Sequence, residues 1–206
     1  MTARVVLATN NARKLVELRH VLSDAGLDVV VLGLADLPPY PEPAETERTF
    51  EGNALLKARA CVEATGLPAL ADDSGIEVDV LNGCPGVRSA RWAGPECDDA
   101  ANNELLLRQI SDVPAGERDA RFVCAMALAL PDGGEKVVRR DWEGQVVLVP
   151  AGDNGFGYDP IFVPEGLAVT SAQLAPDAKN AISHRGQAVR AIVPVLAQLV
   201  HQGRLT

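Results

Sequence analysis

The sequence is poor in aromatic residues and in positive charge, and it has no long apolar segment. Phe, Trp and Tyr make up 4% of the 206 residues, and 28 Asp and Glu outnumber 19 Lys and Arg. Such an acidic chain lacks the basic surface that a protein coating DNA or RNA needs. No apolar run approaches the roughly 20 residues that span a bilayer, and the opening stretch lacks a secretory pattern. We therefore expect a cytoplasmic protein that binds neither nucleic-acid polymer nor membrane.

Several common ligand-binding patterns are also missing. Neither the GxxxxGK[ST] phosphate loop nor the GxGxxG dinucleotide loop occurs. The four cysteines form no CxxC pair and have no histidine at metal-ligand spacing, so we expect no structural zinc. We interpret them as buried small hydrophobic residues in a reduced compartment. They are Cys61, Cys84, Cys97 and Cys124.

The spacing of apolar residues alternates between the periods of strands and helices. Short apolar runs bounded by polar or turn residues predict strands, and apolar residues three and four apart predict helices. The proline-rich acidic segment 38–47 is compatible with neither. No linker or repeat interrupts the chain, so we expect residues 1–206 to form a single mixed α/β domain with two lobes. The expected strands are 4–8, 27–32, 68–71, 121–130 and 135–149, and the expected helices are 15–25, 49–65 and 187–200.

The first polar segment that could carry chemistry is the turn from Thr9 to Lys14, between the first strand and helix. Backbone N–H groups and the positive end of a helix dipole attract anions there, and Lys14 adds a full charge. The same residues could simply cap the helix, with the lysine in solvent. On the second helix, Asn53 and Lys57 are four residues apart and share an arc where a ligand could meet them.

The second segment is Asp72-Asp73-Ser74-Gly75, which follows a brief apolar strand. Adjacent carboxylates repel each other unless a cation lies beside them, and oxygen-rich sites of this kind suit Mg²⁺. A carboxylate held there can also deprotonate an attacking water molecule. An Asx turn at the end of the strand explains the same residues equally well.

Two further polar segments lie in the last third of the chain. Phe156 stands between two glycines, which favours an exposed ring on which a base can stack, although a loop with its aromatics tucked back is an alternative. Before the last helix, Lys179, Ser183, His184 and Arg185 could donate hydrogen bonds to carbonyls and phosphates or could cap that helix. Together, the four segments offer groups for phosphates, a metal and a base. They therefore predict a nucleoside triphosphate as the ligand.

Five motifs, in order, resemble the inosine triphosphate pyrophosphatase family, whose members remove non-standard purine nucleotides from the nucleotide pool. The motifs span residues 8–188, and PGVRSARWAG from Pro85 is also similar to a family segment. The resemblance implies an elongated mixed β-sheet flanked by helices, two lobes with a central cleft, and a homodimer. The motifs are ATNNARK from Ala8, TFEGNALLKA from Thr49, ADDSG from Ala71, FGYDP from Phe156 and SHRGQA from Ser183.

The resemblance implies hydrolysis of ITP, dITP and XTP to the monophosphate and pyrophosphate, with Mg²⁺ as cofactor. Asp73 is implied as general base and metal ligand, with Asp72 beside it. Glu45 is the best match to an acidic metal ligand in the loop before the second helix, and Glu42 and Glu47 compete with it. The residues implied to bind substrate are Thr9, Asn10, Asn11, Ala12, Arg13, Lys14, Lys57, Ser74, Phe156, Gly157, Tyr158, Asp159, Lys179, Ser183, His184 and Arg185.

The chain departs from the family pattern at Gly52, where relatives often have glutamate. Because this position would complete a capping box, we expect its loss to weaken the start of the second helix. If the glutamate belongs to the metal shell instead, metal affinity is reduced. Two other functions fit the same residues less well: a pyrophosphatase for modified pyrimidine or methylated nucleotides, and a nucleotide sensor without hydrolysis.

Overall fold

The computed structural model describes residues 3–205, apart from the side chain of Arg13, and this part of the chain contains six strands and five α-helices. None of the helices in this described part is long and apolar enough to cross a membrane. The strands are β1 (Ala3–Leu7), β2 (Val29–Gly33), β3 (Ala69–Val78), β4 (Asp119–Ala129), β5 (Glu135–Val146) and β6 (Phe162–Pro164). The helices are α1 (Ala12–Asp24), α2 (Phe50–Thr65), α3 (Asp99–Gln109), α4 (Pro176–Ile182) and α5 (His184–His201).

All six strands belong to one mixed sheet with the order β2-β1-β3-β4-β5-β6. β1 pairs in parallel with β2 and with β3, whereas β5 and β6 are antiparallel. Parallel neighbours need a crossover connection, and α1 and α2 provide the two crossovers. The predicted α/β class, a mixed sheet flanked by helices, is therefore confirmed.

The chain divides into two compact units, each with its own apolar core. The first unit comprises Met1–Asp73, Ala125–Arg139 and Ala188–Thr206, and the second comprises Ser74–Cys124 and Arg140–Gln187. In the first, Val6 and Cys61 are among the fully buried core residues. In the second, the core is aromatic, and the rings of Phe122 and Phe162 lie 4.6 Å apart. The single-domain organisation and the central cleft stay predictions.

Strand β3 is longer than the sequence predicted. The expected strand ended at Ala71, with the paired aspartates in a turn after it, but β3 continues to Val78. It lies between β1 and β4 in the sheet; its register with β1 covers Ala69 and Leu70, and β4 is its other neighbour. The expected end of the strand is therefore wrong, and Asp72 and Asp73 lie inside β3.

The segment before the last helix is more regular than expected. Lys179 lies in α4, and α5 begins at His184 rather than near Gln187. Ser183 separates the two helices, and its Oγ accepts a hydrogen bond from the Gly186 N–H at 3.2 Å, as an N-cap serine does. The sequence analysis did not predict α3, α4 or β6.

Helix α2 begins where the sequence predicted, although Gly52 removes the capping box. Thr49 is the N-cap, and its Oγ accepts from the Gly52 N–H at 3.0 Å. A Cβ on Gly52 would lie 2.7 Å from the Cβ of Glu47. The glycine therefore lets the preceding loop pass close to the first turn of the helix.

Two of the four cysteines are not buried, which corrects the prediction. Cys61 and Cys124 are buried, but Cys84 and Cys97 are exposed. Both exposed residues lie in irregular segments that contain Gly and Pro.

Candidate functional site

The turn between β1 and α1 has the geometry that its sequence predicted. The Asn11 N–H donates to Thr9 Oγ at 3.2 Å, and the Lys14 N–H donates to the Asn11 carbonyl at 3.1 Å. Asn10 is exposed and donates from Nδ2 to Glu42 Oε2 at 3.4 Å. Ala12 is the first residue of α1. This turn therefore presents backbone N–H groups at a helix N-terminus, where anions are favoured.

The side chain of Arg13 lies outside the described part of the structure, so its predicted contact with substrate stays a prediction.

Asp72 and Asp73 have different partners because consecutive residues of a strand point to opposite faces of the sheet. Lys14 Nζ donates to the two carboxylate oxygens of Asp72 at 2.9 and 2.7 Å. Asp73 instead accepts from Asn53 Nδ2 on α2, at 3.0 Å. Lys14 therefore binds Asp72 and Asn53 binds Asp73, while Lys57 interacts electrostatically with both carboxylates.

Asn53 links Asp73 to the acidic loop. It is fully buried, and its Oδ1 accepts from the Glu47 N–H at 3.0 Å while its Nδ2 reaches Asp73. Burial raises the pKa of Asp73; Lys57 opposes this shift, and Glu45 adds to it. A carboxylate with a raised pKa is a better proton acceptor than an ordinary one.

Lys57 lies between two carboxylates of the same unit. Its Nζ is 3.0 Å from Glu45 Oε1 and 3.6 Å from Asp73 Oδ1. Burial alone would lower the pKa of Lys57, but the nearby Asp73 and Glu45 outweigh it and leave the pKa raised. Lys57 therefore stays positively charged beside Asp73, the candidate general base.

The same two carboxylates suit a hard divalent cation. Glu45 and Asp73 converge on one ammonium group, and Mg²⁺ prefers such oxygen ligands. Between residues 3 and 205, no three His, Cys, Asp or Glu side chains form a cluster that could hold a metal by themselves. Mg²⁺ commonly uses only one or two carboxylates and completes its shell with water and phosphate oxygens. The residues present therefore fit such an ion.

The second unit carries the aromatic group expected to bind the base. The Phe156 side chain is 54% exposed, as its flanking glycines predicted. Lys179 Nζ and Arg185 Cζ lie 5.5 and 5.3 Å from its ring centroid, within the range of cation–π attraction. Tyr158, in contrast, is 4% exposed, and its hydroxyl donates to the Ser89 carbonyl at 2.8 Å.

Asp159 is buried and connects the Phe156 loop to α4. Its carboxylate accepts from the Phe156 N–H at 2.8 Å, from Ser171 Oγ at 2.7 Å and from Lys179 Nζ. A carboxylate with three such donors holds the loop and the lysine in fixed positions.

The remaining predicted residues have mixed environments. His184 is 7% exposed and stacks on Phe122, with ring centroids 4.9 Å apart and planes 12° apart. Ser183 caps α5, and Ser74 is half-buried on β3. Among the predicted residues of this unit, Arg185 and Lys179 contact the Phe156 ring.

Residues 5–195 match the model of the Ham1 family. The chain belongs to the Ham1 family. A relative from Nocardia farcinica, named dITP/XTP pyrophosphatase, is 59% identical over 198 residues, which cover 96% of each chain. These matches confirm the resemblance drawn from the sequence motifs.

Solved structures of Ham1 proteins have the same fold. The crystal structure of a nucleoside-triphosphatase, dITP/XTP pyrophosphatase, from Mycobacterium abscessus is 52% identical and covers 94% of this chain and 99% of its own, with a TM-score of 0.81. A HAM1 protein from Coxiella burnetii is 40% identical over 95% of this chain and 99% of its own, with a TM-score of 0.89.

For this Ham1 chain, sequence reasoning missed two side chains that contact the Phe156 loop. Asp99 and Asn103 on α3 bind the backbone of Gly157. A signal for α3 was present, since Asp98 precedes the helix-favouring run ANNELLL as an N-cap residue would. The contacts themselves join distant parts of the sequence: Asn103 is 54 positions from Gly157, and Asp99 is 58 positions from it. Local sequence patterns do not predict such pairs.

Proposed function

We propose that this chain hydrolyses the non-standard purine nucleotides ITP, dITP and XTP to their monophosphates and pyrophosphate. The observation that carries the proposal is the buried carboxylate of Asp73, held by Asn53 and beside Lys57. The name of the relative from Nocardia farcinica, dITP/XTP pyrophosphatase, supports the same reaction.

Asp73 is the proposed general base. Its carboxylate takes a proton from water, and the water oxygen forms a bond to the α-phosphorus as the bond to the leaving pyrophosphate breaks. The raised pKa of Asp73 favours this proton transfer, and Asn53 fixes the orientation of the carboxylate. A nucleoside monophosphate and pyrophosphate result.

Lys14 and Lys57 are proposed to stabilise the triphosphate and the negative charge that builds on the leaving group. The helix N-terminus at Ala12 adds backbone donors for the same oxygens.

Glu45, Asp73 and Asp72 are the proposed ligands of Mg²⁺, which when bound polarises phosphate oxygens and lowers the pKa of water. The two carboxylates that approach Lys57 support the first two assignments. Asp72 carries the weakest support, since it binds Lys14 at close range.

In the second unit, Phe156 is proposed to stack on the purine, and Arg185 and Lys179 supply donors for the 6-keto group of hypoxanthine and xanthine. Adenine presents an amino donor at that position, so donor would face donor and buried groups would lose their partners. GTP keeps the 6-keto group, and its rejection therefore depends on the 2-substituent.

The decisive experiment is a substrate panel with purified protein. ITP, dITP, XTP, GTP and ATP, together with a modified pyrimidine and a methylated nucleotide, are incubated with and without Mg²⁺, and the products are identified. We expect Mg²⁺-dependent release of monophosphate and pyrophosphate from the first three. Release of diphosphate and phosphate, or binding without hydrolysis, would refute the proposal.

We also propose a cytoplasmic homodimer, on the family resemblance. Light scattering on the purified protein tests the dimer, because a monomeric mass at micromolar concentration contradicts it.

A further inference from the structure

We propose that Asp99 and Asn103 are positioning residues, which fix the Gly157 peptide and thereby the orientation of the Phe156 ring for base binding. This inference rests on the proposed function, since it concerns the same base site.

The two side chains bind both backbone groups of one residue. The Gly157 N–H donates to Asp99 Oδ2 at 2.7 Å, and Asn103 Nδ2 donates to the Gly157 carbonyl at 2.9 Å. Asp99 and Asn103 are four residues apart on α3, so they lie on one face of the helix. Gly157 has a φ of +61°, a conformation that costs glycine little and that the two hydrogen bonds select.

Helix α3 is itself firmly held within its unit. Asp98 caps its first turn by accepting from the Ala101 N–H at 2.9 Å. The Asn102 side chain accepts from the Ala93 N–H at 2.7 Å and donates to the Ala90 carbonyl at 2.9 Å, while Leu106 is fully buried. The helix is therefore a rigid reference against which the loop is placed.

The Phe156 ring depends on its backbone for orientation. The ring is 54% exposed, and the cationic groups of Lys179 and Arg185 lie 5.5 and 5.3 Å from its centroid. The Phe156 N–H donates to the Asp159 carboxylate and the Phe156 carbonyl accepts from the Asp159 N–H at 3.3 Å, while both backbone groups of Gly157 are held by α3. Removing the α3 contacts frees one side of this loop and broadens the range of ring orientations.

Asn103 does not have the contacts expected of a residue kept for stability alone. Its Oδ1 is buried and has no hydrogen-bond partner among the described residues. A buried acceptor without a partner is costly, so an apolar residue of similar size should fold as well or better. Gly157 is half-buried, and its carbonyl can bind water when Asn103 is lost. A positioning role therefore predicts that Asn103→Leu impairs base binding but keeps the stability of the protein. A purely structural role predicts that the same substitution lowers the stability.

The test compares Asn103→Leu and Asp99→Ala with the wild type. We expect the KM for ITP to rise about five- to tenfold, the effect of losing one hydrogen bond, with kcat within about twofold. Inhibition by IMP, which carries the base, weakens by the same factor, whereas inhibition by pyrophosphate, which lacks it, is unchanged. Asn103→Leu keeps the melting temperature of the wild type. Asp99→Asn, which retains an acceptor, keeps the wild-type KM.

The control is Glu104→Leu, which removes an exposed polar side chain from the same helix and should leave KM and kcat unchanged. In a Phe156→Ala background, Asn103→Leu should add little, because its effect acts through the ring. The inference would be overturned if inhibition by IMP and inhibition by pyrophosphate weakened equally. Additive effects of Phe156→Ala and Asn103→Leu on KM in the double variant would also overturn it. If the wild type does not convert ITP to IMP, the proposed function fails; if it does and both variants match it, only the positioning role fails.

Discussion

Lys14 on α1 and Asp72 on β3 form an ion pair with both carboxylate oxygens engaged, and the Asp72 side chain is 3% exposed. A lysine proposed to bind phosphate is thus already neutralised within the protein. Asp72 fixes the Lys14 ammonium group at the turn before substrate arrives. Phosphate oxygens must therefore share this ammonium group with Asp72 or replace Asp72 as its partner.

This arrangement predicts different outcomes for single and double substitutions. Lys14→Met removes the cation that contacts both oxygens of the buried Asp72, so the free energy of unfolding should fall by about 3 kcal/mol and the KM for ITP should rise at least tenfold. Adding Asp72→Asn removes the buried negative charge and should restore much of the stability. Urea unfolding and initial-rate kinetics measure the two effects. A double variant that also regained the wild-type KM would show that Lys14 does not bind substrate.

Asp73→Asn tests the proposed base directly. The amide keeps the size of the side chain but cannot accept a proton, so we expect kcat to fall by about 10²- to 10⁴-fold. Binding of ITP, measured by calorimetry, should change much less.

Asp112→Asn is a matched control, because Asp112 is exposed and lies in neither group of candidate site residues. Near wild-type turnover in Asp73→Asn would refute the base role.

The parts of the fold that the sequence predicted depend on local periodicity. The strand, turn and helix around Lys14 and the helix starting at Thr49 follow from apolar spacing and capping residues. The predicted end of β3 at Ala71 was wrong because its polar residues resemble a turn, whereas in the sheet the strand continues to Val78 beside β4. That pairing depends on distant chain segments.

The features of the candidate site also divide into those that depend on local sequence and those that depend on distant segments. The exposed ring of Phe156 could be predicted from its flanking glycines, because that feature is local. The Asn103 contact with Gly157 could not, since it requires α3 to pack beside a loop 54 residues later. Ion pairs such as Lys57 with Glu45 also depend on how the acidic loop folds back on α2.

Arg185→Ala should change base selectivity more than affinity for the triphosphate. The guanidinium lies over Phe156, where the base is proposed to bind, so its loss should reduce the ratio of kcat/KM for ITP over ATP about tenfold. Inhibition by pyrophosphate should stay at the wild-type value. An equal loss of kcat/KM for all nucleotides would assign Arg185 to the phosphates instead.

Gly52→Glu introduces the residue that the family resemblance implies at this position, and we expect it to destabilise this chain. The new Cβ would lie 2.7 Å from Glu47 Cβ, and relieving the overlap costs up to about 3 kcal/mol, against roughly 1 kcal/mol gained in helix propensity. Thermal unfolding should show a lower melting temperature.

Gly52→Ala separates the effect of the added Cβ on stability from any effect of the glutamate carboxylate on metal binding. It introduces the same Cβ without a carboxylate, so both variants should lose stability alike. If only Gly52→Glu lowers the Mg²⁺ concentration needed for half-maximal activity, the glutamate belongs to the metal shell.

The four thiols should differ sharply in reactivity. Cys84 and Cys97 are exposed, whereas Cys61 and Cys124 are buried, and burial raises the pKa of the Cys61 thiol. Because the thiolate is the reactive form, a raised pKa and burial both protect Cys61. An aromatic disulfide reagent at pH 8 should therefore label two thiols in the native protein and all four after unfolding in urea. Cys84→Ser combined with Cys97→Ser should abolish native labelling and leave ITP hydrolysis unchanged, since neither residue is among the candidate site residues. A third fast-reacting thiol in the native wild type would contradict the assigned burial.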